Sequence, residues 1–171
     1  KESNPIRAAN PYSISKVGHD LMSTYYFKAF DMKIVITRMF SHEGSRRGKE
    51  FALSSFAYQI AKGEENGIYE IKHGNLDSVR TYNHIDDAIA AYWLCSKTNK
   101  FGEIYNIGGK ETCTVGDALE LMISKSDKPF KKILDKNRVR PTDITLQIPD
   151  SSKFYKEFDW RPIKTLNDIC D

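Results

Sequence analysis

Tyr12 and Lys16, four residues apart in a chain of 171, are the pair whose types and spacing point most directly to chemistry. On a helix they stand one turn above the other on a common face. At about 100° per residue, Lys16, His19 and Ser23 fall within roughly 40° of Tyr12. Ile14, Val17, Leu21, Met22 and Tyr25 take the opposite half, with the i, i+3, i+4 rhythm of a buried stripe. The spacing predicts a helix packed by its apolar side that offers a phenol beside an ammonium on the other. A neighbouring cation favours the phenolate form of a tyrosine, which suits such a pair to acid–base work. The same short pattern also occurs on ordinary solvated helix faces, so the pair alone leaves both readings open.

A second group lies in the polar loop Ser41-His42-Glu43-Gly44-Ser45-Arg46-Arg47-Gly48. It follows Lys33-Ile34-Val35-Ile36-Thr37-Arg38, a β-branched run that reads as a buried strand. Open α/β sheets bind ligands beyond the C-terminal ends of their strands, which is where this loop falls. Arg46 and Arg47 offer planar forks matched to phosphate oxygens, with a basic surface loop as the plain alternative. Arg80, in a short extended piece, and Arg140, before Pro141, are further phosphate candidates, each also readable as a surface charge. Asp86 and Asp87 open a helix and read as partners of its dipole.

Other chemistries find no support. His42 has no neighbours that complete a metal-ligand set, and Cys95, Cys113 and Cys170 show no CxxC spacing. A reducing compartment fits the cysteines, and no metal is implied. Gly108-Gly109 does not continue as G-x-G-x-x-G, so it predicts a turn at positive φ and not a dinucleotide cradle. Net charge is +3, too small to imply nucleic acid. The basic run Lys125–Arg140 is broken by Asp127 and Asp135 and reads as a solvated face. No apolar run approaches the ~18 residues of a membrane span.

The elements that must position these residues alternate. Helices are predicted from about Tyr12 to Phe30, Glu50 to Lys62, His84 to Ser96 (with Asn83 as N-cap) and Thr114 to Lys125, with shorter ones near 151–158 and at the C-terminus. Ile85, Ala88, Ile89, Tyr92 and Trp93 share one face of the third. Strands are predicted at 33–38, 68–72, 79–82, 103–107 and 132–134, with an extended stretch at 138–143 and a turn at Gly63–Gly67. This alternation indicates an α/β protein.

These motifs, in this order, resemble the C-terminal half of extended short-chain dehydrogenase/reductases acting on nucleotide sugars, most closely GDP-mannose 4,6-dehydratases. That family carries Pro-Tyr-x-x-x-Lys, then Phe-Asn-His-Glu-Ser-Pro-Arg-Arg-Gly, here Phe40–Gly48, then Gly-Asn-Leu-Asp-Ala-x-Arg-Asp-Trp, here Gly74–Tyr82. Arg-Pro-Thr-Glu and Gly-Trp-x-Pro follow, here Arg140–Asp143 and Asp159–Pro162. The resemblance implies Tyr12 and Lys16 as catalytic residues that also meet the cofactor, and His42 and Arg47 as further contacts to NADP, with NAD as the alternative. Ser41, Asn75, Arg80 and Arg140 are implied as substrate contacts. Ser41 departs from the family's Asn, and Thr81 from its Asp.

The implied reaction turns GDP-mannose into GDP-4-keto-6-deoxymannose: oxidation at C4, loss of water across C5–C6, and reduction at C6, with the tyrosine as first base. GDP-4-keto-6-deoxymannose reductase, or another sugar-nucleotide epimerase or dehydratase, is the alternative enzyme. An inactive half-enzyme serving association is the non-enzymatic one. The Arg-Arg loop implies a homo-oligomer, and the setting implied is cytoplasmic, without membrane or nucleic acid. The implied fold is the trailing part of a Rossmann-type NAD(P)-binding domain, residues 1–44 and 102–125, plus a smaller mixed α/β substrate domain, residues 45–101 and 126–171. Residues 1–11 match the lead-in to the family's tyrosine, so the expectation is a fragment whose Gly-rich cofactor half lies upstream.

Overall fold

In the computed structural model, which describes residues 1–140 and 142–171, the chain begins its first helix as the capping residues dictate. Asn10 accepts from the Ser13 amide, Ser13 answers to the Asn10 amide, and Pro11 stands where a missing N–H costs nothing, so α1 runs Pro11–Phe30. It stops at Asp31, in the left-handed region at φ 51°. Then follow β1 (Ile36–Met39), β2 (His42–Glu43), α2 (Ala52–Asn66), β3 (Glu70–His73), β4 (Val79–His84) and α3 (Ile85–Lys97). The second half supplies β5 (Ile104–Ile107), β6 (Glu111–Thr114), α4 (Val115–Ile123), β7 (Lys131–Leu134), β8 (Leu146–Gln147), α5 (Ser152–Phe158) and α6 (Leu166–Cys170).

β1 and β5 pair in parallel from Ile36↔Ile104 to Met39↔Ile107. β4 is the hub of a second sheet, parallel to β2 and β8 and antiparallel to β6, while β3 and β7 form a separate parallel pair. The chain passes between the first two sheets at Phe40–Ser41: the Phe40 amide still bonds to Ile107, and the Ser41 carbonyl already accepts from Asn83. The loop after β1 is thereby held at the junction of two cores. One core gathers Leu53, Phe56, Ile71, Tyr82, Leu119 and Met122. The other gathers Ala91, Tyr105, Ile107 and Phe154.

Several expectations need correction. The turn foreseen at Gly63 is helix: α2 continues to Asn66 and ends on Gly67 at φ 70°. Gly63 is there for space, since a Cβ would meet the Phe130 ring at 2.5 Å. Gly108 and Gly109 are likewise not at positive φ. A Cβ on Gly109 would lie 1.6 Å from the Tyr82 carbonyl, so the glycine lets two backbones touch. Asn83 caps nothing: it is buried in β4, and α3 is capped by His84, whose Nδ1 accepts from Asp86.

The apolar stripe of α1 foreseen as buried is open, and the apolar face read on α3 is only partly covered. No residue of α1 is buried, and Ile14, Leu21, Met22 and Tyr25 face solvent, while Ser13, Val17, Asp20, Thr24 and Phe27 form its sheltered side. On α3 the small Ala88 and Ala91 go inward with Asp87, leaving Ile89, Tyr92 and Trp93 exposed. Asp87 has a structural role beyond the dipole, accepting from the Ile163 and Lys164 amides. The cores draw on elements distant in sequence. α4 packs with α2 and β3, whereas residues of α3 and α5 pack with β5. Pairings that skip over intervening elements decide this, and local pattern does not carry them.

Candidate active site

Tyr12 and Lys16 stand at the start of α1, one turn apart as the spacing requires. Tyr12 is 70% exposed, and the Lys16 ammonium lies 5.5 Å from the centre of its ring. Lys16 makes no ion pair among the described residues, so its donors are open to a ligand. On the same face, His19 and Ser23 border a shallow hollow of about 220 Å³ that also touches Met22, Tyr26, Met32 and Ile34.

The loop after β1 is shaped by its own polar contacts. His42 Nδ1 lies 3.1 Å from the Phe40 carbonyl; a carbonyl only accepts, so this nitrogen carries a proton, and in the neutral ring Nε2 is left as the acceptor. Arg46 turns the chain at φ 69° and points to solvent, whereas Arg47 folds inward. Arg47 Nη1 donates to the His42 carbonyl, and its guanidinium stacks 3.8 Å from the Phe51 ring. Its Nε is 3.2 Å from Glu43 Oε2, close enough to pair in charge but off hydrogen-bond alignment, which leaves that N–H without a partner.

Arg47 and Glu43 form one wall of a cleft of about 470 Å³. Ser41, Asn75, Arg80 and Arg140, assigned to substrate by the resemblance, line this same cleft although they come from three separate stretches of chain. Tyr12, Lys16 and His42 do not line it. Arg47, assigned to the cofactor, therefore lies with the substrate candidates. Pro141, expected to brace Arg140, lies outside the described residues.

Asp143 organises the opposite wall. Its Oδ2 accepts from Ser78 Oγ at 2.6 Å and Asn75 Nδ2 at 3.0 Å, and its Oδ1 lies 3.5 Å from Arg80 Nη2. Burial pushes this carboxyl up, but the bonds from Ser78 and Asn75 and the charge of Arg80 outweigh it and hold Asp143 below the ordinary carboxylate range. Arg138 reaches Ser55 Oγ at 3.0 Å and pairs with Asp135, while Arg140 is exposed and makes no ion pair among the described residues. Glu43, Ser78, Arg138 and Asp143 are site residues the sequence reading did not assign. Of these, Glu43, Ser78 and Asp143 lay within motifs already quoted.

Glu43 is 7% exposed, and burial raises its carboxyl to about 7, with Arg47 opposing. Its folded value lies above the ordinary 4.5, so the folded state holds this proton more tightly than the unfolded one. The stability it contributes is fully present below about 4.5 and is lost as pH rises through about 7. Glu43→Gln removes the ionisation. Its urea midpoint is expected to match wild type at pH 5 and to exceed it at pH 8 by about 1–2 kcal/mol of stability, less than the full shift because Arg47 loses its counter-charge. A variant less stable than wild type at pH 8 would show that the ion pair outweighs the burial cost.

The fold is that of sugar-nucleotide enzymes of Rossmann type. UDP-glucuronic acid 4-epimerase from Bacillus cereus, solved with UDP-glucuronic acid and NAD, superposes with a TM-score of 0.90 at 25% identity, over 99% of this chain and 53% of its own. dTDP-glucose 4,6-dehydratase from Bacillus anthracis superposes at a TM-score of 0.84 and 22% identity, over 99% of this chain and 52% of its own, and shares the fold. The GDP-mannose 4,6 dehydratase family model matches residues 1–171, and the chain belongs to that family. Curated relatives include the GDP-mannose 4,6 dehydratase of Drosophila melanogaster, 26% identical over 98% of this chain and 47% of its own. The dTDP-glucose 4,6-dehydratase of Actinoplanes sp. is 26% identical over 94% of this chain and 49% of its own. The chain spans about half the length of these two relatives.

Proposed function

We propose that the chain is the C-terminal part of a nucleotide-sugar 4,6-dehydratase that converts GDP-mannose to GDP-4-keto-6-deoxymannose with NADP, or with NAD. The observation that carries this reading is the meeting of Ser41, Asn75, Arg80 and Arg140 on one cleft in a chain of this family. Arginine forks suit the two adjacent phosphates of a sugar nucleotide. Tyr12 serves as the base that takes the proton of the sugar's C4 hydroxyl, with the Lys16 ammonium 5.5 Å from its ring centre.

The residues present fit one side of a nicotinamide dinucleotide. Lys16 has donors free of carboxylates among the described residues, and His42 presents Nε2 as an acceptor. Lys16 and His42 would hold it, with Arg47 as the third contact; when bound, NAD(P) supplies a reversible hydride acceptor. We place the substrate domain around the α2–β3–β4–α4 core and the cofactor side around β1, β5, α3 and α5. The assembly we propose is a cytoplasmic homo-oligomer. Among the described residues no helix is long and apolar enough to cross a membrane.

The test is to incubate the complete enzyme with GDP-mannose and NADP and weigh the product. A product lighter by one water supports the dehydratase. A product of unchanged mass would favour epimerisation, the activity named for the B. cereus neighbour. A reductase would instead leave GDP-mannose untouched and add two hydrogens to GDP-4-keto-6-deoxymannose when NADPH is supplied as the hydride donor. No turnover by the complete enzyme would favour the association module. The 171-residue chain alone is expected to turn over nothing.

A further inference from the structure

We propose that Arg38 is the positioning residue for the Tyr12–Lys16 helix, holding α1 on the β1–β5 pair through Asp20 and Glu2; the proposal rests on reading Tyr12 and Lys16 as the reacting pair. α1 buries none of its residues, so apolar packing does little to fix its angle. Two contacts among the described residues stand out in holding it to the rest of the chain. Near its C-terminal end the Phe27 ring fills the space that a Cβ on Gly102 would need, its Cε1 2.1 Å from that position. At its middle, Arg38 of β1 grips Asp20 with both arms of the fork: Nε to Oδ2 at 2.7 Å and Nη2 to Oδ1 at 3.2 Å.

The third arm of the same guanidinium reaches the lead-in to the helix, with Nη1 donating to the Glu2 carbonyl at 2.8 Å. Glu2 in turn accepts from the Asn106 amide of β5 through Oε1 at 2.8 Å. One side chain therefore ties β1, the middle of α1 and the segment entering α1, and through Glu2 it reaches β5. Both charged groups are mostly shielded, at 22% and 11% side-chain exposure, so the pair is screened less than a surface bridge.

Geometry makes the tie matter for Tyr12. At about 1.5 Å per residue, Tyr12 lies about 22 Å along the axis from Phe27. A tilt of roughly 3° about Phe27 then moves the phenol by about 1 Å, a misplacement that costs on the order of 10²-fold in rate. Asp20, about halfway along that arm, is where such a tilt is stopped.

Two variants test this. Arg38→Lys keeps the charge but loses the fork and the third arm, and Asp20→Asn keeps the shape but loses the charge. Hydrogen exchange on the 171-residue chain is expected to show α1 amides exchanging about 10-fold faster in each, with α2 and α4 unchanged. In the complete enzyme kcat is expected to fall roughly 10- to 100-fold, with KM for GDP-mannose within about twofold. The charge swap Asp20→Arg with Arg38→Asp is expected to restore part of the protection. Unchanged α1 protection in both variants, or protection lost equally over the whole chain, overturns the proposal, as does an unchanged kcat. If the wild-type enzyme does not act on nucleotide sugars, the functional reading fails while exchange still decides whether Arg38 holds α1.

Discussion

Tyr12→Phe in the complete enzyme is expected to lower turnover by roughly 10²–10⁴ while leaving substrate affinity little changed. The substitution deletes one hydroxyl from a ring that is 70% exposed, so neither a core contact nor a buried hydrogen bond is lost. Its cation–π contact with Lys16, at 5.5 Å, survives because phenylalanine offers the same ring face. What disappears is the proton acceptor at the start of α1. Lys16→Met would complement it: the helix remains, but the ammonium beside the ring goes. Turnover within tenfold of wild type for Tyr12→Phe would remove Tyr12 from the role of base. Thermal midpoints should be level between the variants, so that a rate loss cannot be mistaken for unfolding.

How much of this was legible beforehand depended on whether the signal was local. α1 was readable because Asn10, Pro11 and Ser13 specify its start within four residues, and α4 because Thr114 and Asp117 cap each other. Amphipathic spacing, by contrast, reports which side of a helix is apolar and not whether a neighbour is there to cover it. Ile14, Leu21 and Tyr25 on α1, and Ile89 and Trp93 on α3, show the difference. Gly63 reads as a breaker, yet packing against Phe130 carries the helix through it. The site was divided in the same way. Arg80 and Arg140 stood in recognisable motifs, but the carboxylate set against Arg80 did not announce its task. Asp143 meets Ser78 and Asn75 across separations of 65 and 68 residues, and no local pattern encodes such a meeting. Glu43 and Arg47 are only four apart, but it is the buried setting against Phe51 and the cleft that gives them their chemistry.

Replacing Arg80 or Arg140 by lysine in the complete enzyme is expected to weaken binding of GDP-mannose by about 1.5–3 kcal/mol each, with NADP binding unchanged. Two adjacent phosphates need fixed cations, and the planar fork of arginine gives paired, charge-assisted bonds that an ammonium cannot reproduce. The two positions should fail differently. Arg80 is mostly shielded, bonded to the Val79 carbonyl at 2.9 Å and set against Asp143, so its place is built before a ligand arrives. Arg80→Lys breaks that setting, and some stability should go with the affinity. Arg140 is exposed and makes no ion pair among the described residues, so its whole charge is available to a ligand. Arg140→Lys should cost affinity with an unaltered thermal midpoint. Calorimetry with three ligands separates a phosphate clamp from a general loss of charge. GDP and GDP-mannose share the diphosphate and should lose equally, whereas guanosine, which lacks it, should bind both variants as it binds wild type. Equal GDP affinity in wild type and both variants would return these arginines to the surface, where exposed charges contribute about 0–1 kcal/mol.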